Sequence, residues 1–84
     1  MNTPLFEIVS RIASDVFEIP EDQVKADSSP DNVATWDSIH HLNMVLALEQ
    51  EFGLQFTPEE IEQLLSVELI VALVEEKQRL DKVA

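Results

Sequence analysis

The run Asp37-Ser38-Ile39-His40-His41 is the stretch of this 84-residue chain whose residue types and spacing suggest chemistry. His41 lies three residues beyond Ser38, on a similar helical face, which invites a nucleophile-and-base reading. A hydrolase also needs an orienting acid, an oxyanion hole and a pocket. A short chain with one glycine offers little for them. His40 and His41 point about 100° apart on a helix, so they do not form one metal clamp. Asp27, Ser29 and Asp31 alternate like calcium ligands, but such a loop wants glycine sixth and glutamate twelfth. Asn32 and Ser38 stand there instead, and no metal site is expected. What remains is Ser38 as a helix start. Its hydroxyl is expected to accept an N–H of the first turn, a cap worth ~0.5–2 kcal/mol over alanine. The same position is the positive end of a helix, where a phosphate ester would meet unpaired N–H groups and a favourable dipole. Cap and attachment point are compatible, and residue chemistry leaves both open.

The elements that must position Ser38 are helical. Thr3-Pro4 opens a first helix, with Thr3 as cap. Its inner stripe is Leu5, Ile8, Val9, Ile12 and Val16, with Ser10 and Ser14 off it. It should fade near Ile19-Pro20, because the residue before proline avoids helical angles. A long connection follows over residues 20–36, with a helical turn near 21–25 and Val24, Val33 and Trp36 to pin it to the body. The second helix starts at Ser38, buries Ile39, Leu42, Val45, Leu46, Leu48 and Phe52, and ends at Gly53 in the left-handed region. Thr57-Pro58-Glu59-Glu60 is a capping-box start for a short third helix. Ser66 caps the last, whose inner stripe is Val67, Ile70, Val71 and Val74, with Leu69, Leu73 and Leu80 beside it and Lys77, Arg79 and Lys82 near its end. The expected fold is all-α: a four-helix bundle, residues 1–84 as one domain, with a long loop after the first helix and a short third helix bridging the second and fourth.

Composition narrows the function. Hydrophobic residues make up 45% of the chain, enough to fold rather than stay disordered. Seventeen acidic residues against five basic ones give a net charge of −12. Such a chain is repelled by nucleic acid and by anionic membranes, and favours partners with basic patches. With no cysteine there is no disulfide and no protein thiol, which suits a reducing cytoplasm. No signal peptide and no membrane-spanning run is visible.

Trp36-Asp37-Ser38-Ile39, followed by "HHLNMVLALEQEFGLQFTPEEIEQLLSVELIVALVEE", resembles an acyl carrier protein over about residues 4–77. The resemblance implies that Ser38 receives a 4'-phosphopantetheine arm from a phosphopantetheinyl transferase and that the arm's thiol carries the acyl chain. It makes the chain a carrier and not an enzyme, monomeric and cytoplasmic, serving acyl-loading and acyl-transfer enzymes. Asp37 would help hold the serine or a metal ion during arm transfer, and Ile39 would pack along the arm's exit. Leu46, Phe56, Ile61, Leu64 and Val67 are candidate walls of an acyl pocket, and plain core packing is the alternative for each. The partner-binding candidates are His40, His41, Asn43, Met44, Glu49 and Glu51.

The sequence also departs from that family. Where housekeeping fatty-acid carriers have acids in the first turns of the second helix, this chain has His40, His41 and Asn43, and Trp36 stands where glycine is often found. The departures imply a specialised fatty-acid, polyketide or lipid pathway. The histidines are expected as an exposed pair that lets partner binding vary with pH. Two further readings stay open: an aminoacyl or peptidyl carrier using the same serine, and an acidic helical interaction domain whose serine is only a cap.

Overall fold

The computed structural model describes residues 3–83, with side chains described through Arg79. Four α-helices follow one another: α1 (Thr3–Phe17), α2 (Ser38–Phe52), α3 (Pro58–Gln63) and α4 (Val67–Val83), with a 3₁₀ turn at Glu21–Gln23. No strand occurs among the described residues, and the all-α architecture with a long first loop and a short third helix is as expected. Leu80 and Lys82 fall outside the residues whose side chains are described.

The α1 helix packs against both α2 and α4. Its buried row is Leu5, Val9, Ala13 and Phe17, with Ile8, Ile12 and Val16 half-buried beside it. The expected stripe is therefore one flank of a wider buried face, because a helix between two neighbours needs more than one apolar row. Thr3 already lies inside the helix rather than capping it from outside. Ser10, expected off the stripe, is buried, and its hydroxyl has no hydrogen-bond partner. The helix stops because Glu18 turns left-handed at φ 57°, letting the Ile19 N–H reach back to the Ser14 carbonyl.

The long loop is fastened at both ends and in the middle. The Thr35 hydroxyl donates to the Phe17 carbonyl at 2.6 Å, tying the loop to the end of α1. Val24, Val33 and Trp36 are buried as anticipated. The loop also completes α4. A helix start leaves its first N–H groups without partners. Here the Val67 N–H donates to the Ser28 carbonyl, the Glu68 N–H to the Ala26 carbonyl and the Leu69 N–H to the Ser66 hydroxyl. Each amide of that first turn is therefore paired.

The third helix is held from two sides. Its capping box is complete: Thr57 accepts from the Glu60 N–H while the Glu60 carboxylate accepts from the Thr57 N–H. Glu60 also pairs with Lys77 of α4 at 2.9 Å, and Lys77 lies over the Phe56 ring. The Lys77 bond first, and the Thr57 amide second, hold the Glu60 carboxyl below the usual range. From α2, His41 reaches the Ile61 carbonyl. The six-residue α3 thus bridges α2 and α4 through polar contacts. The interior is filled by Met44, Leu48, Leu64, Val67, Ile70 and Val74, all fully buried.

Ser10 makes a direct test of this packing. A buried hydroxyl without a partner destabilises, and alanine is the better helix former. Ser10→Ala is expected to raise the unfolding free energy by about 1 kcal/mol in urea titration; a loss of stability would show that the hydroxyl is satisfied in solution.

Candidate functional site at the start of the second helix

The sequence placed the cap of α2 on Ser38, and the structure places it one residue earlier. Asp37 is the N-cap, in extended backbone geometry, and its Oδ1 accepts the His40 N–H at 2.9 Å. The first helical bond runs from the His41 N–H to the Asp37 carbonyl. The reason is chemical: aspartate is as good a cap as serine and here also gains a charge at the dipole's positive end. Ser38 is left as the first helical residue. It is exposed, and its hydroxyl makes no hydrogen bond among the described residues. An alcohol is thus displayed at a helix start without a structural task.

Asp37 is strongly engaged. His40 Nδ1 lies 2.7 Å from the same Oδ1. The His40 backbone N–H first, the His40 ring second and the Ile39 N–H last hold the Asp37 carboxyl below the usual carboxylate range, against a small opposing effect of burial. The end of α2 that was expected to offer unpaired N–H groups to a phosphate is therefore partly occupied by this carboxylate.

Beside Ser38 opens a cleft of about 450 Å³. Pro30 and Trp36 of the long loop form one side. Ser38, His41 and Leu42 line it from α2, with Asp37 at its mouth. Ile61 of α3, with Glu62 and Leu65, closes the far side. Leu42, Pro30 and Leu65 were not among the expected site residues. Leu42 was legible in principle, since it stands four residues beyond Ser38 on the same helical face. Pro30 is brought by the fold of the loop, for which the sequence carries no spacing rule.

Other expected residues fall elsewhere. Met44 is fully buried in the core and presents nothing to a partner, so that assignment is corrected. Leu46 is 56% exposed and forms no interior wall, because it lies on the outer face of α2. Ile39 and Leu42, expected in the core, are also exposed. The face of α2 that is actually buried carries Met44, Val45 and Leu48. Phe56, Leu64 and Val67 are core residues, and only Ile61 of the pocket candidates lines the cleft. His40 and His41 are not an exposed pair. His41 is half-buried, with Nδ1 at 2.8 Å from Trp36 Nε1 and Nε2 at 3.0 Å from the Ile61 carbonyl. Both ring nitrogens are therefore taken, so His41 is not a free base for Ser38. Glu49 spends a carboxylate oxygen on the Phe56 N–H. Asn43 and Glu51 are exposed.

A sequence-family profile described as "Phosphopantetheine attachment site" matches residues 7–74. The chain is 36% identical over 77 residues to the acyl carrier protein of Petrotoga mobilis, covering 92% of this chain and 91% of that one. It is 31% identical over 71 residues to the acyl carrier protein of Campylobacter hominis, covering 84% and 90%. This chain belongs to the acyl carrier protein family. It carries acyl groups as thioesters on a covalently attached 4'-phosphopantetheine, and the family works with phosphopantetheinyl transferases and acyl-handling enzymes. In fold it matches the solution structure of the holo acyl carrier protein from Geobacter metallireducens, with a TM-score of 0.82 at 24% identity over 93% of this chain and 90% of that chain. Among the described residues no helix is long and apolar enough to cross a membrane, and no three His, Asp or Glu side chains converge on a metal position.

The division of labour between Asp37 and Ser38 has a measurable consequence. Asp37→Ala is expected to lower the thermal midpoint at neutral pH, while Ser38→Ala leaves it nearly unchanged. The depressed Asp37 carboxyl contributes stability that is fully present above the ordinary carboxylate range. That contribution is lost as pH falls through its lowered folded value. The difference between native and Asp37→Ala proteins should therefore shrink on acidification, as followed by circular dichroism. A larger loss from Ser38→Ala than from Asp37→Ala would return the cap to the serine.

Proposed function

We propose that Ser38 is the residue that bears the 4'-phosphopantetheine of this carrier. The observation that carries the reading is the free Ser38 hydroxyl: exposed, at the start of a helix whose cap is supplied by its neighbour, and bordering an apolar cleft. The group fits there. An alcohol is the right nucleophile for a phosphodiester, the N-terminal dipole of α2 favours the anionic linkage, and the cleft offers apolar surface along the arm. When bound, the arm supplies the thiol that this cysteine-free chain lacks and forms the thioester with the cargo.

The chain's own residues then have distinct parts. Ser38 holds the arm. Asp37 fixes the helix end on which Ser38 sits and places a carboxylate next to the attachment oxygen, where it would help seat a transferase's cation. Ile39, 70% exposed, is a contact beside the arm's exit. The tether raises the effective concentration of cargo at any enzyme docked on α2. Residues 1–84 act in this reading as one carrier domain that delivers cargo and performs no catalysis. It stays monomeric because a charge of −12 repels a second copy.

We also propose a specialised pathway. The outer face of α2 presents Ile39, Leu42 and Leu46, with His40 and Asn43, before the first acid at Glu49. A partner that reads acids in those first turns finds none; the matching partner would present apolar side chains ringed by basic ones.

Incubation with a phosphopantetheinyl transferase and coenzyme A tests the attachment reading. The native chain should gain one arm by intact mass, and Ser38→Ala should gain none while keeping its helical spectrum. Modification of that variant would place the arm elsewhere. The pathway reading has its own measurement: the arm-bearing protein should be a poor substrate for malonyl transferase and ketosynthase of a general fatty-acid synthase, and efficient turnover by both would refute specialisation.

A further inference from the structure

The cleft beside Ser38 has a closed floor. Trp36 enters it from the loop, 4% exposed, with its indole stacked on Phe17 at 4.7 Å between ring centroids. Its Nε1–H donates to His41 Nδ1 at 2.8 Å. A nitrogen that accepts is unprotonated, so the neutral imidazole carries its hydrogen on Nε2. That Nε2–H donates to the Ile61 carbonyl at 3.0 Å. The carbonyl belongs to the last turn of α3 and also accepts the Leu64 N–H. One tautomer of one imidazole therefore joins loop, α2 and α3.

A chain tethered at Ser38 has two places to lie. It can run along the open cleft, or it can pass between α2 and α3 into the core. The second path requires parting the helices beside Ser38. That breaks the His41–Ile61 bond, which the indole supports by fixing the tautomer and orientation of the imidazole, a cost the cleft does not impose. The core behind is occupied by fully buried Met44, Leu48 and Leu64. The cleft itself carries two carboxylates, Asp37 and Glu62, and no cation. Carboxylated cargo is repelled there.

We infer that Trp36 and His41 are specificity-determining positioning residues: by bolting α2 to α3 they keep cargo in the surface cleft, which suits a short, uncharged acyl group and denies a long chain shelter inside the bundle. The inference rests on Ser38 bearing the arm, and its test separates the two.

Native, His41→Ala, His41→Gln and Trp36→Phe proteins are converted to the arm-bearing form and loaded with acetyl or dodecanoyl groups. Cleavage of each thioester by hydroxylamine is followed by mass, and emission of the single tryptophan is read on the variants that keep it. In the native protein the two thioesters should cleave at similar rates, with tryptophan emission unchanged by cargo. In His41→Ala the dodecanoyl thioester should cleave roughly tenfold more slowly than the acetyl, the protection expected from sheltering about two methylenes, with altered emission. His41→Gln, whose amide can both accept and donate, should behave as native. Trp36→Phe keeps a ring to stack on Phe17, removes the N–H and leaves a small cavity where the rest of the indole lay. It should gain protection of the same sign, and it carries the comparison if circular dichroism shows His41→Ala unfolded. Protection of the dodecanoyl thioester in the native protein, or equal cleavage rates in every variant, overturns the inference. A native chain that takes no arm overturns the Ser38 reading and this inference with it, and mass reports that outcome before any cleavage is measured.

Discussion

Every helix start leaves amides that must find acceptors, and in this chain the choice of acceptor at α2 governs the rest. At α3 a threonine does the work, and at α4 a serine together with two loop carbonyls. At α2 the acceptor is the Asp37 carboxylate. Had Ser38 taken that bond, its hydroxyl would be directed back at the backbone and withdrawn from solvent chemistry. Because the aspartate stands one position earlier and is the stronger partner for a dipole, the alcohol is released. The Asp-Ser order is thus a structural instruction as much as a motif: one residue closes the helix so that the next keeps a free hydroxyl.

That arrangement depends on a loop with little regular structure. Residues 24–36 contribute two buried valines, two carbonyls that complete α4, and the buried indole that packs on Phe17. Loops of this length persist in small domains when they carry their own packing and hydrogen bonds. Here the loop reaches the start of α4 through Ala26 and Ser28 and the end of α1 through Thr35. Trp36, immediately before Asp37, sets where the chain enters α2. The position of Ser38 is therefore fixed by contacts made well before it in sequence.

Much of this was legible beforehand, for reasons specific to each element. Thr57-Pro58-Glu59-Glu60 specifies a helix start through local hydrogen bonds, and Gly53 a helix end through a conformation with φ of 63°, so both were readable residue by residue. The Val67, Ile70, Val71 and Val74 stripe was readable because α4 has one dominant buried side. The second helix was misjudged where two faces are apolar. Ile39, Leu42 and Leu46 resemble core residues by composition, and only tertiary structure shows that Met44, Val45 and Leu48 face inward. Ala13 was missed because its side chain is too small to register as a hydrophobic position, although small size is what allows close helix contact. The His41 bridge was beyond reach. Its partners are five and twenty residues away, and neither is a type that advertises pairing with histidine.

The misjudged face bears directly on function. An acidic chain with charge spread over most of its surface has one stretch, Ser38 to Leu48, without Asp, Glu, Lys or Arg. Exposed Ile39, Leu42 and Leu46 occupy the outer side of that stretch, and Asp37 and Glu49 bracket it. Long-range attraction by the surrounding carboxylates would bring a basic partner close without fixing its orientation. Removing apolar surface from water would then supply the short-range part, and it would act beside Ser38 because Ile39 is its immediate neighbour. Placing acids in these turns would strengthen the first step and weaken the second. On the proposed reading, the absence of acids there would shift recognition from charge pairing toward shape and apolar contact, which would discriminate among acidic carriers that charge alone treats alike.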